Sequence, residues 1–230
     1  MKVYEIKTKI FLMKDLLSEE AQIEICRIID TTLSKDEKWL EFHKKNEFKN
    51  YCFDSLYPIP KDKIYKSNQI YTFTLRTINE NLASYFNQFL ANEYNSTIKC
   101  LTSEIRIIPQ KFIEKIYSIT PAIIKDGSGY WKHNLSLKDF ERRLVENLIK
   151  KYNSINDTKI DEDFEFYTSL EFKNKKPCSF KYKDIKLLGD KISLNISDDK
   201  IAQDLAYMVL GTGILELNGR GAGFINYRWV

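Results

Sequence analysis

The chain contains two histidines, and the first of them, His43, has neighbours that suit acid-base chemistry. Lys44 and Lys45 follow it directly, and Lys49 comes shortly after. The pKa of histidine lies near neutrality, so its ring can accept or give a proton under ordinary conditions. Neighbouring cations favour the neutral imidazole, which is the form that acts as a base. The alternative interpretation is an exposed polar residue in a charged connector, and we assign the second histidine, His133, to the surface.

A glycine-rich stretch, Gly211 to Phe224, is the second candidate for chemistry. It holds five of the eight glycines, at Gly211, Gly213, Gly219, Gly221 and Gly223, together with the cation Arg220. Backbone N–H groups exposed in such a turn bind phosphate oxygens well. A P-loop is excluded because no Gly-Lys-Ser/Thr is present, and a dinucleotide-binding fingerprint is excluded because the predicted helix precedes the glycines. An ordinary helix C-cap followed by a hairpin remains the alternative, although it would use one or two glycines.

Composition places the chain among folded proteins. Its 230 residues allow one large domain or two small ones, and 43% hydrophobic residues are enough for packed cores. The four cysteines form no CxxC pair, and no His, Asp and Glu residues have metal-ligand spacing, so we expect reduced thiols, no metal and no cofactor. No apolar run approaches the ~18 residues of a membrane span. We therefore expect a cytoplasmic protein that does not associate with a membrane.

Positive charge is concentrated in one part of the sequence. The net charge is +4, but residues 173–191 hold seven lysines and two acids. Such a run is usually a solvated face. Beside a phosphate-binding loop it can also be the footprint of a nucleic acid. Lys173 and Lys175 are therefore candidate ligands of a phosphate backbone.

Hydrophobic periodicity and helix-cap residues predict the order β-α-β-β-α-β in residues 1–111. The predicted strands are 3–13, 51–56, 70–77 and 98–108. Ser18 and Asn79 are the predicted N-caps of the two helices. Residues 34–50, which include His43, are predicted to form a charged connector.

The same order repeats in residues 112–230. The predicted strands are 116–125, 164–172, 178–196 (as a strand or hairpin) and 223–229. Ser136 and Asp139 form a capping-box pattern at the start of one helix, and Ser197 is the predicted N-cap of the other. We therefore predict an α+β fold of two tandem ferredoxin-like modules, with the glycine-rich loop joining the last helix to the last strand.

Two such modules ending in such a loop resemble the repeat-associated mysterious protein superfamily, and within it the CRISPR-associated endoribonucleases of the sixth Cas family. The resemblance covers the whole chain in element order. It rests on Gly211-Thr-Gly213, Gly219-Arg-Gly221-Ala-Gly223-Phe224, His43 with Lys49, Tyr51-Cys-Phe53-Asp-Ser55-Leu56 and Thr120-Pro121-Ala122-Ile123.

The resemblance implies a metal-independent endoribonuclease that binds and cuts CRISPR repeat RNA. The RNA's own 2′-hydroxyl would attack the adjacent phosphorus, giving a 2′,3′-cyclic phosphate and a 5′-hydroxyl. His43 and Lys49 would be catalytic. The RNA ligands would be Lys44, Lys45, Lys173, Lys175, Gly211, Gly213, Gly219, Arg220, Gly221 and Gly223. CRISPR interference complex proteins and a second copy of the chain are further candidate partners.

The sequence departs from the family pattern at two points. Some members have a tyrosine upstream of the histidine as a third catalytic group, whereas residues 5–50 contain none. The loop also holds Glu216, where members often have a basic residue. Two alternatives therefore stay open: a non-catalytic RNA-binding subunit with the same fold, and a structural subunit that mainly contacts protein.

Overall fold

The computed structural model describes residues 1–125, 127, 129–183 and 185–230. The elements of the first half are β1 Val3–Leu12, β2 Leu16–Leu17, α1 Ala21–Leu33, α2 Glu37–Lys44, β3 Tyr51–Phe53, β4 Ile64–Tyr65, β5 Gln69–Thr77, α3 Glu80–Phe89 and β6 Ile98–Ile108. Those of the second half are β7 Ile113–Ser118, α4 Leu137–Asn156, β8 Tyr167–Phe172, β9 Cys178–Tyr182, β10 Ile185–Gly189, β11 Ile192–Ile196, α5 Lys200–Thr212 and β12 Ile225–Trp229. Within the described residues, no helix combines the length and the apolarity needed to cross a membrane.

The first half forms a four-stranded antiparallel sheet in the order β3-β5-β1-β6. Alternate residues of a strand point to opposite faces, and the inward face of β1 contributes Ile6 and Ile10 to a core shared with Ile25 of α1 and Phe86 of α3. Helices on one face and the first strand between the third and the fourth are the features of a ferredoxin-like fold. The small ribbon β2-β4 is added at its side.

The second half repeats this arrangement. Its four-stranded antiparallel sheet has the order β12-β7-β11-β8, and Ile116 of β7 faces Leu194 of β11 across the strands. Leu144 of α4 and Leu205 of α5 pack against the same core. The protein therefore consists of two tandem ferredoxin-like folds, as the sequence predicts.

A hairpin, β9-β10, is inserted between β8 and β11. Phe180 at its base packs with Ile123 and Ala222 in a small separate cluster. At its outer end, Lys181 Nζ lies 3.2 Å from a carboxylate oxygen of Glu20, just before α1. The hairpin thus spans from the glycine-rich loop to the first half.

Buried contacts join the two halves. Arg76 of β5, which is 4% exposed, donates to Glu5 Oε2 in its own sheet (2.8 Å) and to Ile225 O of β12 (2.7 Å). Helix α5 lies so close to the first half that a Cβ added to Gly211 would be 2.8 Å from Ile78 Cγ2. The sequence prediction that Gly211 belongs to the loop is wrong, because this residue lies in the last turn of α5 and serves the close approach.

Two predicted helix caps are confirmed. The side chain of Asn79 accepts a hydrogen bond from Leu82 N at the start of α3. Ser136 and Asp139 form a complete capping box at the start of α4.

Three other local predictions are wrong. The predicted connector contains α2, which begins because Asp36 accepts a hydrogen bond from Trp39 N. Ser18 does not cap α1, whose N-cap is Glu20 without a side-chain hydrogen bond. Ser197 does not cap α5, because its hydroxyl donates to Glu165 O and Asp199 takes the capping position instead.

Several predicted strand ranges also differ from the structure. The ranges 51–56, 164–172 and 223–229 are strands only over Tyr51–Phe53, Tyr167–Phe172 and Ile225–Trp229. Strand β7 spans Ile113–Ser118 rather than residues 116–125. Beyond it the ladder is irregular, since Ile119 N and Thr120 N both donate to Phe224 O, and Pro121 has no N–H to continue it. Ala122 and Ile123 form isolated bridges with Asp190 and Glu216 instead. The range 178–196, predicted as a strand or hairpin, contains the strands β9, β10 and β11.

Candidate active site

A cleft of about 480 Å³ lies between residues 43–51 of the first half and the glycine-rich loop of the second. Four of its cations come from the first-half segment or the loop, and two come from elsewhere in the second half. The lining cations are Lys44, Lys45, Lys49, Lys125, Lys151 and Arg220, and the lining carboxylates are those of Glu47 and Glu216. This excess of positive charge favours an anionic ligand.

His43 lies in the last turn of α2, at the edge of this cleft. Its side chain is 20% exposed. Its Nε2 lies 3.5 Å from Arg220 Nη2 and 3.6 Å from Asp30 Oδ1. The imidazole thus meets a cation of the loop and a carboxylate of α1 at one point.

Burial lowers the pKa of His43 below its ordinary value, and this is the largest influence on the ring. The nearby carboxylate of Asp30 acts to raise the pKa, whereas the positive charges of Arg220 and Lys49 lower it. His43 Nδ1 and Asp30 Oδ1 are both buried without a hydrogen-bond partner among the described residues. The ring is therefore neutral at neutral pH and able to accept a proton.

Lys49 folds back onto the end of α2. Its ammonium donates to Phe42 O (2.6 Å), His43 O (2.9 Å) and Lys45 O. An ammonium has three N–H groups, so all of them are engaged. Burial lowers the pKa of Lys49, with Glu47 raising it and Arg220 lowering it further. Lys49 therefore fixes the backbone that carries His43 and adds positive charge beside the ring.

Arg220 connects the loop to α1. Its Nη1 donates to Asp30 Oδ2 (2.7 Å) and lies 2.9 Å from Cys26 Sγ. Gln22 adds a second tie, since its Nε2 donates to Gly221 O at 2.6 Å. Sequence reasoning missed Asp30 and Gln22, because both lie on a helix whose apolar stripe was assigned to core packing and neither carries a local signal of its own.

The loop itself begins at Gly213, the C-cap of α5, which has a φ of 75°. Gly223 has a φ of 65°, and a Cβ there would lie 2.0 Å from Ile214 O, so no other residue fits. Gly219 is different: its φ is not positive, and a Cβ would meet the Lys49 side chain at 3.2 Å and the Tyr51 ring at 3.4 Å. The glycines thus shape the loop at some positions and let it approach Lys49 at another.

Lys151 of α4 supports the loop from below. It is 2% exposed and donates to Gly213 O (2.8 Å), Leu215 O (2.8 Å) and Asn218 Oδ1 (2.7 Å). Burial lowers its pKa to about 7, against the electrostatic effect of the nearby Cys52 and Glu216, which act to raise it. A signal for it was present in the sequence, because a lysine seven residues after Leu144 falls on the buried face of the helix.

The carboxylate of Glu216 is hydrogen-bonded to other residues of the second half. Its carboxylate accepts from Lys125 N at 2.8 Å and from Arg143 Nη2 at 3.0 Å. The acidic residue in the loop therefore anchors the segment after Ile123 and does not face a ligand unpaired.

The cleft brings together some of the predicted site residues and leaves others out. His43, Lys44, Lys45, Lys49, Gly219 and Arg220 line it. Lys173 and Lys175 do not: they lie after β8, where Lys173 pairs with Glu171. His133 lies in a 3₁₀ turn against the ring of Tyr130. Among the described residues, no three His, Cys, Asp or Glu side chains are grouped to hold a metal ion.

The sequence model of the family described as "CRISPR associated protein Cas6, C-terminal" matches residues 108–227, just over half of the chain. The chain belongs to the Cas6 family. A search of curated protein sequences finds no significant match.

Solved structures match the whole length of this Cas6 protein. One described as CRISPR associated protein Cas6 is 20% identical, covers 98% of this chain and 99% of its own, and gives a TM-score of 0.71. A RAMP protein that binds different RNA substrates gives 0.73 at 16% identity, with 98% and 99% covered. A Cas6-related protein from Pyrococcus furiosus gives 0.70 at 16% identity, with 98% of both chains covered. At these identities the similarity concerns the fold.

Proposed function

We propose that this Cas6 protein is an endoribonuclease that binds CRISPR repeat RNA and cuts it without a metal ion. The observation that carries the proposal is the position of His43, whose Nε2 lies 3.5 Å from the loop cation Arg220 at a cation-lined cleft. Membership of the Cas6 family supports repeat RNA as the substrate. A RAMP protein of the same fold that binds different RNA substrates supports RNA binding in general.

The chemistry needs a base, positive charge and an in-line arrangement. His43 takes the proton of the 2′-hydroxyl, the 2′-oxygen forms a bond to the adjacent phosphorus, and the bond from phosphorus to the 5′-oxygen breaks. The leaving oxygen takes a proton from water in the open cleft. The products are a 2′,3′-cyclic phosphate and a 5′-hydroxyl.

Positive charge near the phosphorus stabilises the negative charge that builds up on its oxygens. Arg220 supplies this charge directly beside His43. Lys49 acts by holding the end of α2 in place, because its three donors are engaged with carbonyls. Lys44 and Lys45, on the cleft wall, contribute to binding of the RNA backbone.

Labelled repeat RNA incubated with the protein in EDTA tests the proposal. One discrete cut is expected, with a cyclic phosphate on the upstream fragment and a hydroxyl on the downstream one. A single 2′-deoxy nucleotide at the cut should stop the reaction while RNA binding persists. Cleavage of the deoxy substrate would rule out the 2′-hydroxyl mechanism. Tight binding with no cleavage of any repeat RNA would favour the non-catalytic RNA-binding subunit instead.

A further inference from the structure

A second hollow, of about 300 Å³, lies beside the cleft, between α1 and the β9-β10 hairpin. Ile23 and Cys26 of α1 line it on one side, and Tyr182 of the hairpin lines it as well. Arg220 and Tyr182 line both the hollow and the cleft, so the two spaces meet at these side chains. No step of the proposed reaction uses this hollow.

The hollow combines an aromatic ring, a partly apolar side and a cationic rim. The rim is formed by Arg27 and Lys181, which pair with Glu24 and Glu20, and by Lys183, while Asp30, paired with Arg220, also lines the hollow. Lys183 Nζ lies 5.7 Å from the centre of the Tyr182 ring, and Lys183 has no ion pair with any described residue. Single-stranded RNA is held by this combination, with bases on aromatic rings and phosphates near cations. The volume is at the small end of ligand pockets and suits one nucleobase better than a longer ligand.

The position of the hollow suggests which base it would take. In-line attack needs the 2′-oxygen, the phosphorus and the 5′-oxygen nearly on one line. Two nucleotides stacked as in a regular helix do not offer this geometry, so the nucleotides on either side of the cut must turn apart. Arg220 stands between the two spaces and beside His43. A phosphate at Arg220 would thus have one nucleotide in the cleft and the other in the hollow.

We propose that the hollow between α1 and the hairpin binds one of the two nucleobases that flank the scissile phosphate. The proposal rests on the proposed function, because it names the position of the substrate around the same arginine. It makes Tyr182 a stacking partner of the base and Ile23 an apolar contact beside it. Binding of that base holds the two nucleotides apart and so presents the phosphorus to attack.

Ile23→Trp tests the proposal by filling the hollow, since Ile23 is half-buried and does not line the cleft. The matched control is Thr31→Trp, which adds the same ring to an exposed position of the same helix outside both spaces. Stacking of a base on an aromatic ring corresponds to roughly 5- to 150-fold. Ile23→Trp should therefore slow single-turnover cleavage by about that factor, and the control should cut like the parent.

Abasic nucleotides placed singly at the two flanking positions give a second measurement. In the parent, loss of one of the two bases should slow cleavage by a similar factor, whereas Ile23→Trp should be insensitive to the same loss. An Ile23→Trp variant that cuts at the parent rate, or that suffers the full abasic effect, would contradict the proposal.

Binding measurements separate this proposal from the proposed function. A 2′-deoxy nucleotide at the cut prevents cleavage, so affinity can be measured with the same oligonucleotides. Loss of the base that occupies the hollow should weaken binding to the parent but not to Ile23→Trp. If the parent never cuts but its affinity follows the pattern, the hollow binds the base and the nuclease proposal fails. If the parent cuts but neither rate nor affinity depends on the flanking bases, the hollow proposal fails alone.

Discussion

His43 is the residue on which the proposed chemistry depends most directly. A general base typically contributes about 10²–10⁴ in rate. His43→Ala should lower single-turnover cleavage by roughly that factor and leave RNA affinity nearly unchanged, because a neutral ring adds little to the electrostatic attraction. The control is His133→Ala, which removes the other histidine, at an exposed position. If His43→Ala cuts at the parent rate, the general base is another residue.

The pH dependence follows from the lowered pKa of His43. A base must be neutral, so the cleavage rate should rise with pH through this pKa, which lies below the ordinary 6.5, and then level off. Lys49 is one of the charges that lower it. Lys49→Met should therefore move the midpoint to higher pH, in addition to slowing the reaction by loosening the end of α2. Lys45→Met, which removes a cation from the cleft wall without these contacts, should leave the midpoint in place. A midpoint that Lys49→Met does not move relative to the parent would count against His43 as the base.

At the scale of elements, the glycines of the loop have two different roles: some are required by the backbone conformation, and others only by a close neighbouring side chain. Gly223→Ala should severely destabilise the fold, because the new Cβ would lie 2.0 Å from a carbonyl oxygen at a φ of 65°. Gly219→Ala should destabilise the fold much less, because its φ is not positive and the new Cβ would come no closer than 3.2 Å to Lys49 Cγ. It should slow cleavage by pressing on the Lys49 side chain that holds the end of α2. Urea unfolding and single-turnover rates measure the two effects. The assignment fails if Gly219→Ala unfolds as readily as Gly223→Ala.

Helix starts could be predicted from the sequence where the interacting residues are close together along the chain. The caps at Asn79 and Ser136 involve residues within one turn, so the sequence alone contains the whole interaction. Helix α2 was missed because its eight residues carry only one buried side chain, that of Trp39, and their charges are typical of a connector. His43 itself was predicted as a site residue, but its support by a helix was not.

The grouping of Asp30, His43 and Arg220 was not predictable in this way. Arg220 is separated from His43 by 177 positions along the chain, and the two meet only because the halves pack together. No periodicity in either half specifies that packing. The resemblance to a known family supplied His43 and the loop, whereas Asp30, Gln22 and Lys151 needed the structure.

At the scale of the whole molecule, Arg76 holds the two sheets to each other. Arg76→Met leaves Glu5 with one partner fewer in a buried position and removes the hydrogen bond to Ile225 O. Loss of one member of a buried ion pair typically costs about 3–5 kcal/mol. Urea unfolding should show a loss in that range, with reduced cleavage at urea concentrations below the transition. Arg228→Ala is the control: its pair with Glu114 is exposed, and such pairs contribute about 0–1 kcal/mol. Equal losses in the two variants would mean that Arg76 does not join the halves.

The contact between Arg220 and Asp30 has a consequence for the history of the family. If either residue is replaced alone, the charge of the other is left without this partner beside His43. The two residues are far apart in the sequence. A lineage that lost the arginine would gain by losing the aspartate as well. Among related chains that keep the histidine of α2, positions 30 and 220 should therefore vary together, as a charged pair or as an uncharged one, although they are far apart in the gene.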